Sequence, residues 1–168
     1  TEWYSYHLIR WFAKLDSKNE YILYTDKPLK GGLLNLSDNF RVKVLGWPFN
    51  FFWTQGRLSW EMLLRKPDIL FIPAHVLPII HPSKSIVTLH DVGFERDEKL
   101  YRDERMGSQS RKWRRVVDWL VRFFTCGKYG ATSLDYLSWS TRHALKHARK
   151  IITPSVFSRE EMIAIYKT

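Results

Sequence analysis

Two polar side chains at the end of one apolar run give the first chemical signal. Ile86-Val-Thr-Leu89 is β-branched and aliphatic, and it stops at His90-Asp91. Such a run reads as a buried parallel strand, and its carboxyl end is the edge where open α/β sheets take ligands. His90 could act there as a base, orient a hydroxyl or donate to a phosphate. Asp91 points the other way along a strand, so it is expected to bond loop amides rather than polarise His90. On spacing alone, a plain turn with a structural histidine is the simpler reading.

Pro154-Ser155 follows a second apolar run, Lys150-Ile-Ile-Thr153, and precedes a helical pattern. Ser155 there exposes a hydroxyl and nearby N–H groups suited to a phosphate or sugar oxygen. The same placement suits a plain helix cap. His75 and His81 sit in proline-bounded loops near the same sheet edge, and His75 is placed to line the crevice. Neither has metal-ligand spacing with a carboxylate or cysteine. His143 and His147 are four apart with no Glu between them, which reads as a solvated basic face rather than a zinc motif.

A third stretch is Arg111-Lys-Trp-Arg-Arg-Val-Val-Asp-Trp-Leu-Val-Arg-Phe-Phe124. At about 100° per residue, Trp113, Val116, Val117, Leu120, Val121, Phe123 and Phe124 share one broad side. Arg111, Arg114, Arg115, Asp118 and Arg122 share the other. Seven basic residues against one acidic fall between Arg105 and Lys128. A basic helix with a Trp/Phe/Leu face has the composition of an interfacial membrane helix, and Trp113, Arg114, Arg115, Leu120 and Phe124 are the expected contacts. A helix packed on a sheet with a solvated basic face has the same periodicity.

Other elements must position these residues. Residues 3–15 form an amphipathic pattern in which Tyr4, Leu8, Trp11, Phe12 and Leu15 share the apolar side and Arg10 and Lys14 face away. Strands are expected over 21–25, 40–45, 68–73 and 86–89, with a final short one at 150–153. The 68–73 run is continuously apolar, as in a strand buried on both faces. The 40–45 run alternates apolar with basic, as in a strand near an edge. Helices are expected over 54–65, with Thr54 as a cap, and over 133–149. A last helix carries Ser158 and Glu161 at capping-box spacing. Together they predict an α/β domain with a Rossmann-like parallel sheet flanked by helices, carrying a basic amphipathic helical insert at 105–130.

The 168 residues suffice for one domain with a real core, and at 45% hydrophobic and 15% aromatic wholesale disorder is excluded. A formal charge of +10 points to an anionic partner. Cys126 stands alone, which excludes an internal disulfide and a cysteine zinc cluster and fits a reducing, cytoplasmic setting. No apolar run approaches the roughly 20 residues of a membrane span. Walker, dinucleotide-binding, nucleophile-elbow, zinc-finger and RNA-recognition signatures are all absent.

The order of segments resembles the N-terminal domain of family-4 retaining glycosyltransferases, the GT-B enzymes with two Rossmann-like domains. The matching pieces are Tyr4 to Asp16 with Asn19-Glu-Tyr-Ile-Leu23, then Pro67-Asp-Ile-Leu-Phe-Ile-Pro-Ala-His75 with Pro78. Ile86-Val-Thr-Leu-His-Asp-Val92 and Ala148-Arg-Lys-Ile-Ile-Thr-Pro-Ser-Val-Phe-Ser158 follow. Residues 95–130 are the least similar part. The resemblance implies transfer of a sugar from a nucleotide-sugar donor to an acceptor, with retention and with no metal or other cofactor. It implies that this domain holds the acceptor, a lipid-linked or cell-envelope glycan, and that a C-terminal domain with paired glutamates holds most of the donor. His90 matches the family's cleft histidine, which contacts the transferred sugar or the departing phosphate, and Asp91, His75 and Ser155 are the expected substrate-binding neighbours.

The chain departs from the family's usual start, a strand and glycine-rich loop before the first helix, and that strand would be central to the sheet. These 168 residues alone are therefore expected not to catalyse transfer. The implied location is cytoplasmic, peripheral to the inner face of the membrane. A nucleic-acid-binding module, suggested by +10 and eight tryptophans, is the alternative from a different class. A non-catalytic peripheral membrane module is another. Nucleic acid is not the expected partner, because the cations concentrate in one insert and the aromatics fall at core-like spacing.

Overall fold

The computed structural model describes residues 2–48, 52–96 and 133–167. The insert at 105–130, with Trp113, Arg114, Arg115, Leu120 and Phe124, lies outside the described residues.

Helix α1 (Glu2–Leu15) opens the described chain, with Glu2 in its first turn and Lys14 in its last, the charge order the helix dipole favours. Asp16 ends it. Its Oδ1 accepts from the Lys18 and Asn19 amides at 2.8 and 3.2 Å, and the Tyr21 hydroxyl donates to Oδ2 at 2.6 Å. Those bonds, the Tyr21 hydroxyl first, hold the Asp16 carboxyl far below the usual range. Burial and the neighbouring Asp16 push the Tyr21 phenol up to about 12.

Strands β1 (Tyr21–Thr25) and β2 (Phe40–Val44) pair in parallel, with Tyr21 opposite Phe40 and their rings stacked at 4.4 Å. Helix α2 begins as a π-helical turn, Thr54–Leu58, and continues as α-helix over Ser59–Leu64. Strands β3 (Leu70–Ile72), β4 (Ser85–Thr88) and β5 (Lys150–Ile152) form a second parallel sheet in the order β3-β4-β5. A single turn, α3 (Gly93–Arg96), follows β4. Helices α4 (Ser133–His147) and α5 (Val156–Tyr166) flank β5 in sequence. This is the expected α/β architecture with parallel strands, in two small sheets rather than one. β1 and β3 each have a strand partner on one side only among the described residues. Helix α1 bridges the sheets: the Phe12 ring stacks on Tyr21 of β1 at 5.7 Å and meets Phe71 of β3 edge-on at 6.4 Å.

The core gathers Leu58 and Met62 of α2, Leu70, Val87, Leu89, Val92, Phe94, Ala144 and Met162, and takes in Leu45 at the end of β2. Glu61 is buried among them at 2% exposure. It receives Lys43 of β2, and Arg57 and Arg65 at 3.3 and 3.6 Å. The Lys43 hydrogen bond is the main reason its carboxyl titrates below the usual range. This cluster joins β2 to α2. At the other end Tyr166 donates to Glu95 at 2.8 Å and Arg96 pairs with Glu161 at 2.7 Å, tying α3 to α5.

Several local expectations are corrected. Trp11 and Leu15 lie on the solvent side of α1, 54% and 76% exposed. The helix meets both sheets through Phe12, about 100° round the helix from Trp11, which turns the Trp11 side outward, and Leu15 lies in the last turn. Thr54 lies inside the helical turn rather than capping it. The β3 run is less buried than its apolar composition predicts: Leu70 is buried but Phe71 and Ile72 are half-buried. The cap of α5 is Ser155, whose hydroxyl accepts from the Ser158 amide, while Glu161 is spent on Arg96.

Candidate functional site

Parallel pairing places the carboxyl ends of β3, β4 and β5 along one edge. His75 follows β3, His90-Asp91 follows β4 and Ser155 follows β5, so residues far apart in sequence converge there. The Leu89 amide continues the ladder by donating to the Ile152 carbonyl at 2.9 Å, which fixes the backbone just before His90.

His90 is half-buried and held from three directions. Its Nε2 lies 3.2 Å from the Pro73 carbonyl oxygen. A carbonyl only accepts, so Nε2 carries the proton and Nδ1 keeps a lone pair in the neutral ring. The Ser158 hydroxyl donates to the His90 carbonyl at 2.9 Å. The Tyr4 ring of α1 packs edge-on against the imidazole, with centroids 5.0 Å apart, and the Tyr4 hydroxyl lies 3.3 Å from Thr88 Oγ1.

His75 sits beside it, with ring centroids 5.7 Å apart. The His90 amide donates to His75 Nε2 at 3.2 Å, so this ring carries its proton on Nδ1. Burial is the main reason its pKa lies below the usual 6.5, with the nearby His90 lowering it further and Asp91 opposing. His75 Nδ1 is buried and has no hydrogen-bond partner among the described residues. A buried donor without an acceptor is uncommon and costly, and such groups often mark a place where a ligand or water completes the structure.

Asp91 does what its strand position predicts: Oδ1 accepts from the Gly93 amide at 3.0 Å and fixes the turn into α3. The Ser155 hydroxyl accepts from the Ser158 amide at 3.1 Å and lies 3.0 Å from the Ser158 hydroxyl, so the cap reading is realised. Ser158 and Tyr4 belong to this edge, and sequence reasoning placed neither there. Ser158 was legible only as a capping-box candidate closing one matching segment, and Tyr4 only as one member of an apolar stripe opening another.

A separate histidine cluster lies between the 78–85 segment and α4. His81, His143 and His147 have ring centroids 4.7 to 6.2 Å apart, and Trp139 stacks on His143 at 5.3 Å. His81 Nδ1 donates to the Pro82 carbonyl at 2.9 Å, and His143 Nε2 lies 3.4 Å from the Pro78 carbonyl oxygen. His143 is half-buried rather than on a solvated face, and burial lowers its pKa. Among the described residues, no group of three histidine, cysteine or carboxylate side chains is arranged to hold a metal ion, and no helix is long and apolar enough to cross a membrane.

No protein-family model, no curated protein and no solved structure matches the chain.

Proposed function

We propose that this domain is the acceptor-side half of a retaining glycosyltransferase, with the edge formed by His75, His90 and α5 as one wall of its cleft. The observation that carries the reading is the pair of oriented imidazoles at the carboxyl ends of β3 and β4. His90 is locked with its proton on Nε2, which leaves Nδ1 available to a sugar hydroxyl or, when protonated, to a phosphate oxygen. His75 holds a buried Nδ1–H that has no acceptor among the described residues. Both belong to the segments that carry the family resemblance.

Two further features support it. The amino end of α5 and its Ser155 cap lie at the same edge, tied to His90 through Ser158, and a helix amino terminus favours anionic oxygens. Helix α1 reaches both β1 and β3, each with a strand partner on one side only among the described residues, so the two small parallel sheets fit parts of one Rossmann-like sheet. In the proposed reaction the bond between the anomeric carbon and the departing phosphate breaks. A bond from that carbon to the acceptor oxygen forms on the same face, and the acceptor hydroxyl's proton passes to the departing phosphate oxygen. His90 would contact the transferred sugar or the leaving phosphate, and a C-terminal domain would hold the nucleotide. Transfer therefore needs the full-length protein.

The test is transfer by the full-length protein from a panel of uridine- and guanosine-diphosphate sugars to a lipid-extract acceptor. The anomeric configuration of the product is read by NMR. His90→Ala should lower the rate at least about a hundredfold, the scale of a lost transition-state donor, while the protein stays folded. Transfer at the wild-type rate would remove His90 from the reaction, and inversion would remove the family reading.

A further inference from the structure

Helix α1 has an outer face that neither sheet uses and the proposed cleft does not explain. Arg10, Trp3, Lys14, His7 and Trp11 fall, in that angular order, within about 100° of the helix circumference at 100° per residue. All five are exposed, Trp3 at 73%. Leu15 continues the stripe at the carboxyl end. Aromatic and cationic side chains alternate along about 16 Å of helix, and the acidic Glu2 falls outside the arc.

The side chains lie against one another along this face. The Trp3 ring stacks on His7 at 5.2 Å, and the Lys14 ammonium sits 5.0 Å from the Trp11 ring centroid. His7, Arg10, Trp11 and Lys14 line a shallow concavity between them. Phe12, about 150° round the helix from the middle of the stripe, packs on both sheets, and Tyr4 at the edge of the stripe ties the amino end to β4, so the stripe is held outward.

We infer that this face of α1 docks on an anionic phospholipid surface. Tryptophan prefers the boundary between headgroups and acyl chains, and lysine and arginine stems lie along apolar surface while their charges reach headgroup phosphates. The stripe provides both, in alternation, on one rigid convex helix. A nucleic-acid backbone would leave the apolar Leu15 uncovered. The inference does not depend on the transferase reading, since lipid docking needs neither donor nor acceptor. It also concerns a surface other than the basic insert. Its consequence for the cleft is orientation: Trp3 precedes Tyr4, whose ring packs on His90, so docking through α1 would bring the His90 edge close to the membrane.

The experiment is co-sedimentation of the full-length protein with phosphatidylcholine vesicles, with and without phosphatidylglycerol. The expected result is binding to the anionic vesicles only. The exposed pairs Trp3→Ser with Trp11→Ser, and Arg10→Glu with Lys14→Glu, should each weaken it at least about tenfold. Unchanged circular dichroism and melting would confirm that both variants fold. Wild-type affinity in both folded variants would overturn the inference, leaving any lipid binding to another surface. Equal binding to neutral and anionic vesicles, or no vesicle binding, would also overturn it. So would salt-sensitive binding of the stripe to single-stranded DNA in place of vesicles.

Discussion

The Ser158 hydroxyl donates to the main-chain carbonyl of His90 at 2.9 Å, across 68 residues of sequence. The same Ser158 gives its amide to Ser155, so the cap of α5 and the placement of His90 are one hydrogen-bonded unit. The two serines therefore separate by substitution. Ser155→Ala removes the cap and the contact between the two hydroxyls, leaves the Ser158 bond to His90 in place, and should cost about 1 kcal/mol. Ser158→Ala keeps the main-chain amide that the cap accepts from but strips the hydroxyl bond to His90, and should cost about 1 kcal/mol, with a shift in the His90 imidazole resonances that Ser155→Ala produces only weakly. Urea denaturation and histidine NMR of the two variants check this.

Glu61 is the buried charge on which the β2–α2 contact depends. Lys43, Arg57 and Arg65 surround it, but the side chains of Lys43 and Arg65 are 33% and 70% exposed and can turn to water if the carboxylate is lost. Glu61→Gln should therefore cost about 3 kcal/mol, the bottom of the range for breaking a buried pair. The exposed Arg41–Glu20 pair, at 3.6 Å, is the control. Glu20→Gln should change stability by less than about 0.5 kcal/mol. Chemical denaturation at low and high salt measures both, and only the Glu20 effect should fade with salt.

The histidines give stability a pH dependence with a definite sign. Burial lowers the pKa of His75 and His143 below 6.5 in the folded protein. Between the lowered folded values and 6.5 the unfolded chain binds more protons, so stability is full above 6.5 and falls as pH drops below it. Glu61 acts in a separate window. Its lowered pKa contributes stability above 4.5 that is lost as pH falls further. Urea midpoints should decline between neutral pH and about 5.5, and His75→Gln combined with His143→Gln should flatten that decline. A midpoint that rises over this range would contradict the placement of both rings.

Much of the fold was legible because its strands are short apolar runs ending in polar or proline-bearing turns. Tyr21–Thr25 fell where the sequence places it, and β4 and β5 fell within a residue or two. His90 and His75 could be assigned to one edge because parallel pairing puts the ends of consecutive strands together. What could not be read was decided by tertiary contact. The angle at which α1 lies on the sheets turns Trp11 outward. The burial of Glu61 depends on Lys43 of β2, since its neighbours Arg57 and Arg65, four residues away on either side, would read on their own as a solvated charged face. The bond from Ser158 to His90 joins segments that share no local pattern. The gathering of His81 with His143 and His147 has the same cause, since a loop and a helix 60 residues apart reveal their contact only when folded.

The most direct test of the proposed cleft is imidazole nitrogen NMR of the full-length protein during titration with uridine and guanosine diphosphates and their sugar conjugates. The expected result is a saturable shift at His90 Nδ1 and at the buried Nδ1–H of His75, with His81 and His143 unmoved. Saturable binding that leaves His90 and His75 unperturbed, or that shifts His81 and His143 instead, would contradict it.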